Sequence, residues 1–401
     1  MNPLPPGFPS RIAVALALIG SLAAPALAEL NTVPPNAPDQ RPAFPGQTRA
    51  PEVTDRIALR RQVLASGLEH PWGLALLPGG GWLITEKPGR LRLYRNGQLS
   101  PPLSGVPKVD ARGQGGLLDV AVAPDFAQSR RLWLSFAEPR AGGKNATAVA
   151  TATLSRDGTG LENLRVIFRQ DPAWASDKHF GSRVVPDGRG GIFITTGERS
   201  NIESRPLAQD VQTHLGKVLH VDGATGAPLP GNPFLNGGGK PQIWSWGHRN
   251  IQSAALDGQG RLWTVEHGAR GGDELNRPLA GRNYGWPVIS YGEEYSGKPI
   301  GRGLTQAKGM EQPVYYWDPV IAPSGMAFYQ GAMFPEWRGD ILIGGLKAQA
   351  LVRLKLSGDR VVGEQHLVPG IGRVRDVAVA PDGALMLLTD AEDGALIRLS
   401  R

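Results

Sequence analysis

One short pattern recurs six times along the chain and constrains its fold more than any other feature. A segment of small apolar residues, a tight turn and a second apolar segment begin at Trp72, Leu117, Gly181, Gln252, Ser324 and Val374. The run "VRDVAVAPDGALMLLTD" from Val374 is the plainest copy. In such turns Pro presets φ, while Asp and Gly tolerate the sharp reversal. Further strands follow inside the units, where "GRLRLYRNG", "ALVRLKLSGDRV" and "GALIRLSR" alternate apolar and polar residues. The units begin roughly 45 to 70 residues apart, close to one propeller blade plus its loops. That spacing is too long for a β-helix, and six equal units suit a pair of β-sandwiches poorly. The expected fold is all-β: a six-bladed β-propeller with four-stranded antiparallel blades, over residues 57–401.

The remaining chain sets the compartment. Arg11, the apolar run "IAVALALIGSLAA" and Ala26 to Ala28 form a charged start, an apolar core and an A-x-A site. Residues 1–28 therefore read as a secretory signal peptide, too short to span a membrane stably. Residues 29–56 are rich in Pro and polar residues and read as a linker or N-terminal arm. A periplasmic or secreted protein without stable membrane insertion is expected. The chain has no cysteine, which excludes disulfides, thiol nucleophiles and thiolate metal sites. The net charge of +7 is spread along the chain without a basic block, which argues against a nucleic-acid partner.

No P-loop, G-x-S-x-G, H-E-x-x-H or dinucleotide fingerprint is present. The polar clusters lie instead in loops that break the repeats, at equivalent points of the units. They contain Gln114; Asp177, His179 and Arg183; His248, Arg249 and Asn250; Lys347; and Arg373, Arg375 and Asp376. The segment "EHGARGGDELNRPLAGRNYGW" adds Glu266, Asp273, Glu274 and Tyr284 within a glycine-rich loop. On a propeller these clusters surround one channel mouth. Arg249, Lys347, Arg373 and Arg375 would repel one another unless an anion with several carboxylates or phosphates sat among them. Carboxylates and main-chain carbonyls in a glycine-rich loop suit a hard cation such as Ca²⁺. His179 is the group best suited to take a proton near neutral pH. Each feature also has a plain structural explanation: a loop histidine, blade salt bridges, an ordinary turn. Their joint occurrence at matching blade positions favours function.

The runs "HPWGLALLP", "GQGGLLDVAVAPDF", "HFGSR", "LGKVLHVDG", "WGHRN", "EHGARGGDELN", "GRNYGWP" and "RVRDVAVAPDG" together resemble the soluble quinoprotein glucose/sorbosone dehydrogenase family. The similarity runs from about Leu59 to the end and is closest to the family's periplasmic aldose sugar dehydrogenase branch. It implies a six-bladed propeller that binds pyrroloquinoline quinone (PQQ) and Ca²⁺. By position it makes His179 the catalytic base and Gln114 a neighbour of the cofactor. It assigns Arg249 and Asn250 to the quinone, Arg249 thereby sharing in catalysis. Lys347, Arg373 and Arg375 fall to the PQQ carboxylates. Gly268 and Ala269 match carbonyl donors near the cofactor's Ca²⁺, and Glu274 and Tyr284 match positions associated with a Ca²⁺ site. Ala269 and Ile251 replace prolines common in the family, which leaves a main-chain carbonyl intact. The long loops of the dimeric glucose dehydrogenases are absent, so a monomer is expected. The implied reaction oxidises an aldose sugar at its anomeric carbon to a lactone and passes electrons to an external acceptor. A calcium-dependent lactonase would share blades, cation and histidine, but has no use for a ring of cations. A non-enzymatic binding propeller would not need His179, Arg249 and Asn250 together.

Overall fold

The computed structural model describes Met1 and residues 31–401, so the leader expected over residues 1–28 lies, beyond its first residue, outside the described part. Among the described residues twenty-four strands form six four-stranded antiparallel sheets, and the expected six-bladed propeller is what the chain adopts. The six repeats identified in the sequence each supply the first two strands of a blade. Their innermost strands are Pro71–Leu76, Leu117–Val122, Gly181–Pro186, Ile251–Leu256, Pro323–Phe328 and Val374–Val379. Five blades are continuous in sequence. The sixth takes its outer strand, Arg60–Leu68, from the start of the domain, which pairs with Gly394–Ser400 from Arg60↔Ser400 to Leu68↔Gly394. This closure leaves the ring no free end. Among the described residues no helix is long and apolar enough to cross a membrane.

A buried apolar cluster fills each of the six spaces between blades. Leu83 and Leu91 meet Leu134 and Phe136 between the first two blades. Trp263 and Val265 meet Ile341 and Ile343 between the fourth and fifth. Leu388 and Leu396 meet Leu74 and Ile84 where the ring closes. Each fully buried Leu or Ile stabilises by about 1.5–3 kcal/mol, so the alternation of each strand serves two neighbouring interfaces at once.

All six inner strands carry a register irregularity in their first residues. Such bulges re-aim side chains, and here they all lie at one mouth of the channel. The third residues of these strands are Gly73, Asp119, Arg183, Ser253, Gly325 and Asp376. Arg183 reaches across to Asp119 Oδ1 at 2.8 Å and Asp376 Oδ2 at 3.3 Å. The two glycines make room: a Cβ on Gly325 would sit 1.8 Å from Asp376 Oδ1. One guanidinium serves two buried carboxyls. Burial, partly offset by Arg183 and reinforced by Asp376, pushes Asp119 up to about 7. This ionic layer plugs the channel beneath the mouth.

Residues 31–56 carry no strand but lie along the rim of the fourth and fifth blades. Gln47 is fully buried and donates to Pro313 O at 2.9 Å; Ala50 joins the interblade core and donates to the Tyr315 hydroxyl.

Candidate active site

Above the ionic layer the channel opens into a cavity of about 430 Å³, within the range of small-molecule sites. Its floor comes from the beginnings of the inner strands, including Trp72, Leu118, Gly181, Gln252 and Arg375. Lys87, Arg373 and Arg375 bring three cationic side chains to its wall, against one carboxylate, Asp390. Asp390 accepts from Arg373 Nη2 at 3.0 Å, Arg375 Nη2 at 2.7 Å and His70 Nδ1 at 3.0 Å. Burial alone would raise its pKa, but Arg375, His70 and Arg373 outweigh that and hold it well below the usual carboxylate range. Arg375 Nη1 also donates to Gln252 Oε1 at 3.2 Å, and Gln252 Nε2 donates to Asn250 Oδ1 at 3.2 Å. A continuous polar floor thus joins the sixth blade to the fourth.

His179 stands at the edge of this floor, next to Phe180 and Gly181, which line the cavity. It is buried and takes φ of 48°, a conformation costly for a residue with a Cβ. Its main-chain N–H donates to Gln114 Oε1 at 2.9 Å, so the cavity-lining Gln114 fixes the backbone here. Its Nδ1 lies 2.7 Å from Glu198 Oε1, and Glu198 is fully buried. A carboxylate only accepts, so Nδ1 carries the proton and the lone pair is left on Nε2. Burial first, and then the charge of Arg249, lower the His179 pKa to about 4 against the opposing pull of Glu198. The imidazole is therefore neutral near pH 7. Glu198 also receives Ser200 N–H at 2.8 Å, and its own N–H donates to Arg249 O at 3.0 Å.

Arg249 and Asn250 follow from the fourth blade. Arg249 Nη1 donates to the carbonyls of His267 at 3.0 Å and Gly268 at 2.6 Å, and its guanidinium lies 5.1 Å from the Trp286 ring centroid. Its main-chain N–H donates to Glu266 Oε2 at 2.6 Å, and Glu266 Oε1 also bonds His248 Nδ1 at 2.9 Å. Asn250 Oδ1 accepts from Gly181 N, which leaves its Nδ2 buried without a partner.

The glycine-rich loop divides its predicted metal residues between two places. The Gly268 carbonyl faces Arg249, while the Ala269 side chain packs with Ala208, Trp286 and Ile300. Asp273 braces this turn, accepting from Gly268 N and Ala322 N at 2.8 Å each; burial, opposed by those donors, raises its pKa to about 7. Glu274 instead lies across the ladder from Glu266, both bonded to Asn276 Nδ2 at 3.0 Å. Burial, then Glu266, raise its pKa well above the usual value. Tyr284 stacks on His248, and its hydroxyl donates to Arg277 O and accepts from Leu279 N. Only its main-chain carbonyl could serve an ion. Among the described residues no group of three or more His, Asp or Glu side chains has metal-holding geometry. A cation here would rest largely on main-chain oxygens.

Lys347 is exposed and lines a different cleft, with Arg49, Tyr316 and Trp317, although its neighbour Leu346 faces the main cavity. Lys87 occupies the cavity wall instead, donating to Gly113 O at 2.6 Å, with burial lowering its pKa. Lys87, Asp390 and Glu198 escaped the sequence reading because each follows an ordinary strand in its unit. The run "TGE" places Glu198 at the end of a second blade strand just as "VEH" places Glu266, a parallel that marks its position but not its role.

The donor set tests what the cavity can hold. Asn250 Nδ2, Arg249 Nε and Arg375 Nε are buried hydrogen-bond donors lacking acceptors. Arg375 lines the cavity, and Asn250 adjoins it by bonding the lining residues Gly181 and Gln252; with three cations on the wall this set fits a molecule rich in carboxylates and carbonyls, as PQQ is. The carbonyls of His267 and Gly268 accept from the Arg249 guanidinium, so a hard cation on this turn would have to use the remaining lone pair of Gly268 and the carbonyl of Ala269. Known proteins agree with this chemistry. The family model described as Glucose / Sorbosone dehydrogenase matches residues 68–398. The aldose sugar dehydrogenase YliI of Escherichia coli is 45% identical over 345 residues, 84% of this chain and 92% of its own. The apo-form crystal structure of the soluble E. coli aldose sugar dehydrogenase superposes with TM-score 0.82 at 44% identity, covering 86% of this chain and 99% of that one. The PQQ-bound aldose sugar dehydrogenase of Streptomyces coelicolor superposes with TM-score 0.69 at 29% identity, over 86% and 99%. Fold, cavity chemistry and similarity converge: the chain belongs to the glucose/sorbosone dehydrogenase family.

Proposed function

We propose that the protein is an exported, PQQ- and Ca²⁺-dependent aldose sugar dehydrogenase that oxidises the anomeric carbon to a lactone and releases electrons to an external acceptor. The observation that carries this is His179: neutral, with Nε2 unprotonated, fixed by Glu198 at the edge of a cavity whose wall holds Lys87, Arg373 and Arg375. When bound, PQQ would supply an electron-accepting quinone and Ca²⁺ a Lewis acid. Arg373, Arg375 and Lys87 would hold the carboxylates; Arg249 and Asn250 would donate to carbonyl oxygen. The Gly268 and Ala269 carbonyls would hold the cation, with Glu274 and Tyr284 at a second position.

In this scheme His179 Nε2 takes the proton from the anomeric hydroxyl, and Glu198 stabilises the imidazolium that forms. A positioned base of this kind contributes about 10²–10⁴-fold. The test adds PQQ and Ca²⁺ to apo-protein and follows dye reduction with a panel of sugars. Sugar-dependent reduction is expected; its absence with PQQ shown to be bound would overturn the assignment.

A further inference from the structure

The family match begins at residue 68, yet the arm at residues 31–56 reaches the loop that faces Arg249. Asp318 is the meeting point. It is 7% exposed, and its carboxylate is filled by the arm: Oδ1 accepts from Asn36 N at 2.8 Å and Asn36 Nδ2 at 2.9 Å, and Oδ2 from Ala37 N at 2.9 Å. Gly271 is pressed against that same carboxylate; a Cβ there would sit 2.7 Å from Asp318 Oδ1. Its φ of 79° adds a second reason for glycine. The other end of the Asn36 amide bonds the loop directly, Oδ1 accepting from Arg270 Nε at 3.1 Å. Arg49 ties the Asp318 carbonyl to those of Asn31 and Val33. Gln40 Nε2 donates to Gly292 O at 3.0 Å, and Gly292 abuts the Gly271 carbonyl.

We infer that the N-terminal arm is a positioning element of the site: Asn36, through Asp318 and Arg270, sets the conformation of loop 267–272 and hence where the Gly268 and Ala269 carbonyls point. What those carbonyls hold rests on the cofactor proposal above; the mechanical coupling does not. The physical basis is that a buried carboxylate demands donors. Without the Asn36 side-chain amide, Asp318 Oδ1 loses one of its two donors and Arg270 Nε loses its acceptor, so the tightly apposed Gly271 loses its bracing on both sides. Outer groups that only orient metal ligands typically change metal affinity by about 10–100-fold.

The test uses the full exported chain with Asn36→Ala, which keeps the main-chain donors of Asn36 and Ala37. Arg41→Ala is the control, since Arg41 is exposed and donates within the arm to Pro38 O and Gln40 O. Ca²⁺ affinity is measured by chelator competition with and without PQQ, thermal unfolding is followed in parallel, and hydrogen exchange reports the Gly268 and Gly272 amides. Asn36→Ala is expected to weaken Ca²⁺ binding about tenfold and to speed exchange at both amides, while melting with the control. Unchanged exchange at the loop overturns the inference, and so does a loss of affinity that merely tracks a lower melting temperature. If wild-type protein binds neither Ca²⁺ nor PQQ, the cofactor proposal fails, and the exchange result alone decides the coupling.

Discussion

Glu198→Gln separates proton positioning from every other role in the cavity. The wild-type carboxylate accepts twice, from His179 Nδ1 at 2.7 Å and from Ser200 N–H at 2.8 Å. A glutamine of the same shape has one acceptor and one donor end. If its oxygen faces His179, its NH₂ opposes the Ser200 N–H, leaving two buried donors in conflict. If it turns to satisfy Ser200, its NH₂ donates to Nδ1 and drives the proton onto Nε2, the atom that must be free. In the first orientation the tautomer survives but the imidazolium loses its carboxylate; in the second the base is blocked. Wrong-tautomer substitutions of this type in a Ser-His-Asp triad cost about 10⁴ in kcat, and a positioned base is worth about 10²–10⁴. A loss of roughly 10²–10⁴, about 3–5 kcal/mol of barrier, is expected. PQQ affinity should be unchanged, because Glu198 does not line the cavity. Stopped-flow absorbance would follow sugar-driven reduction of bound PQQ, with PQQ titration as the binding control. Reduction within threefold of wild type would refute the tautomer argument.

Arg375→Ala should weaken PQQ binding more than Lys347→Ala, since Arg375 floors the main cavity and Lys347 lines the second cleft; titration giving the opposite order would put Lys347 in the cradle. The depressed His179 pKa has a signed consequence for stability. The unfolded histidine protonates as pH falls through 6.5, but the folded one resists until about 4. Wild type therefore holds this contribution above pH 6.5 and loses it as pH falls toward 4. The urea-unfolding stability of wild type relative to His179→Gln should accordingly shrink between pH 7 and pH 5; a constant difference would contradict the shift. Gly325→Ala places a methyl 1.8 Å from Asp376 Oδ1 and 2.5 Å from its Cα, where neither can yield. A loss of about 1–3 kcal/mol in chemical denaturation is expected, and an unchanged midpoint would show that the channel layer has slack.

The propeller was legible because its physics is local and repeated. Each unit needs apolar residues on both faces of an inner hairpin and a turn that reverses within a few residues, so Trp72, Leu117 and Val374 announce the same structure three times over. His179, Arg249, Asn250, Arg373 and Arg375 could be picked out for a related reason: they sit just before or at the start of inner strands, where polar residues interrupt an apolar pattern. Their partners could not. Glu198 is 19 positions from His179 in sequence and 2.7 Å away in space. Nothing in the run "TGE" distinguishes a carboxylate that fixes a tautomer from one that ends a strand.

The sequence by itself determined the number of blades, the channel mouth at which the polar clusters gather and the sign of the charge there. Those depend on periodicity and residue type, which a linear chain displays. Tertiary structure alone decided which cations meet in one cavity, putting Lys87 there and Lys347 in the next cleft. It also decided that Arg183 is spent on Asp119 and Asp376 in the plug, and that the arm braces Gly271 through Asp318. Those outcomes depend on where ring closure brings side chains from different blades, and a blade's sequence fixes its own hairpins but not the distance across the channel.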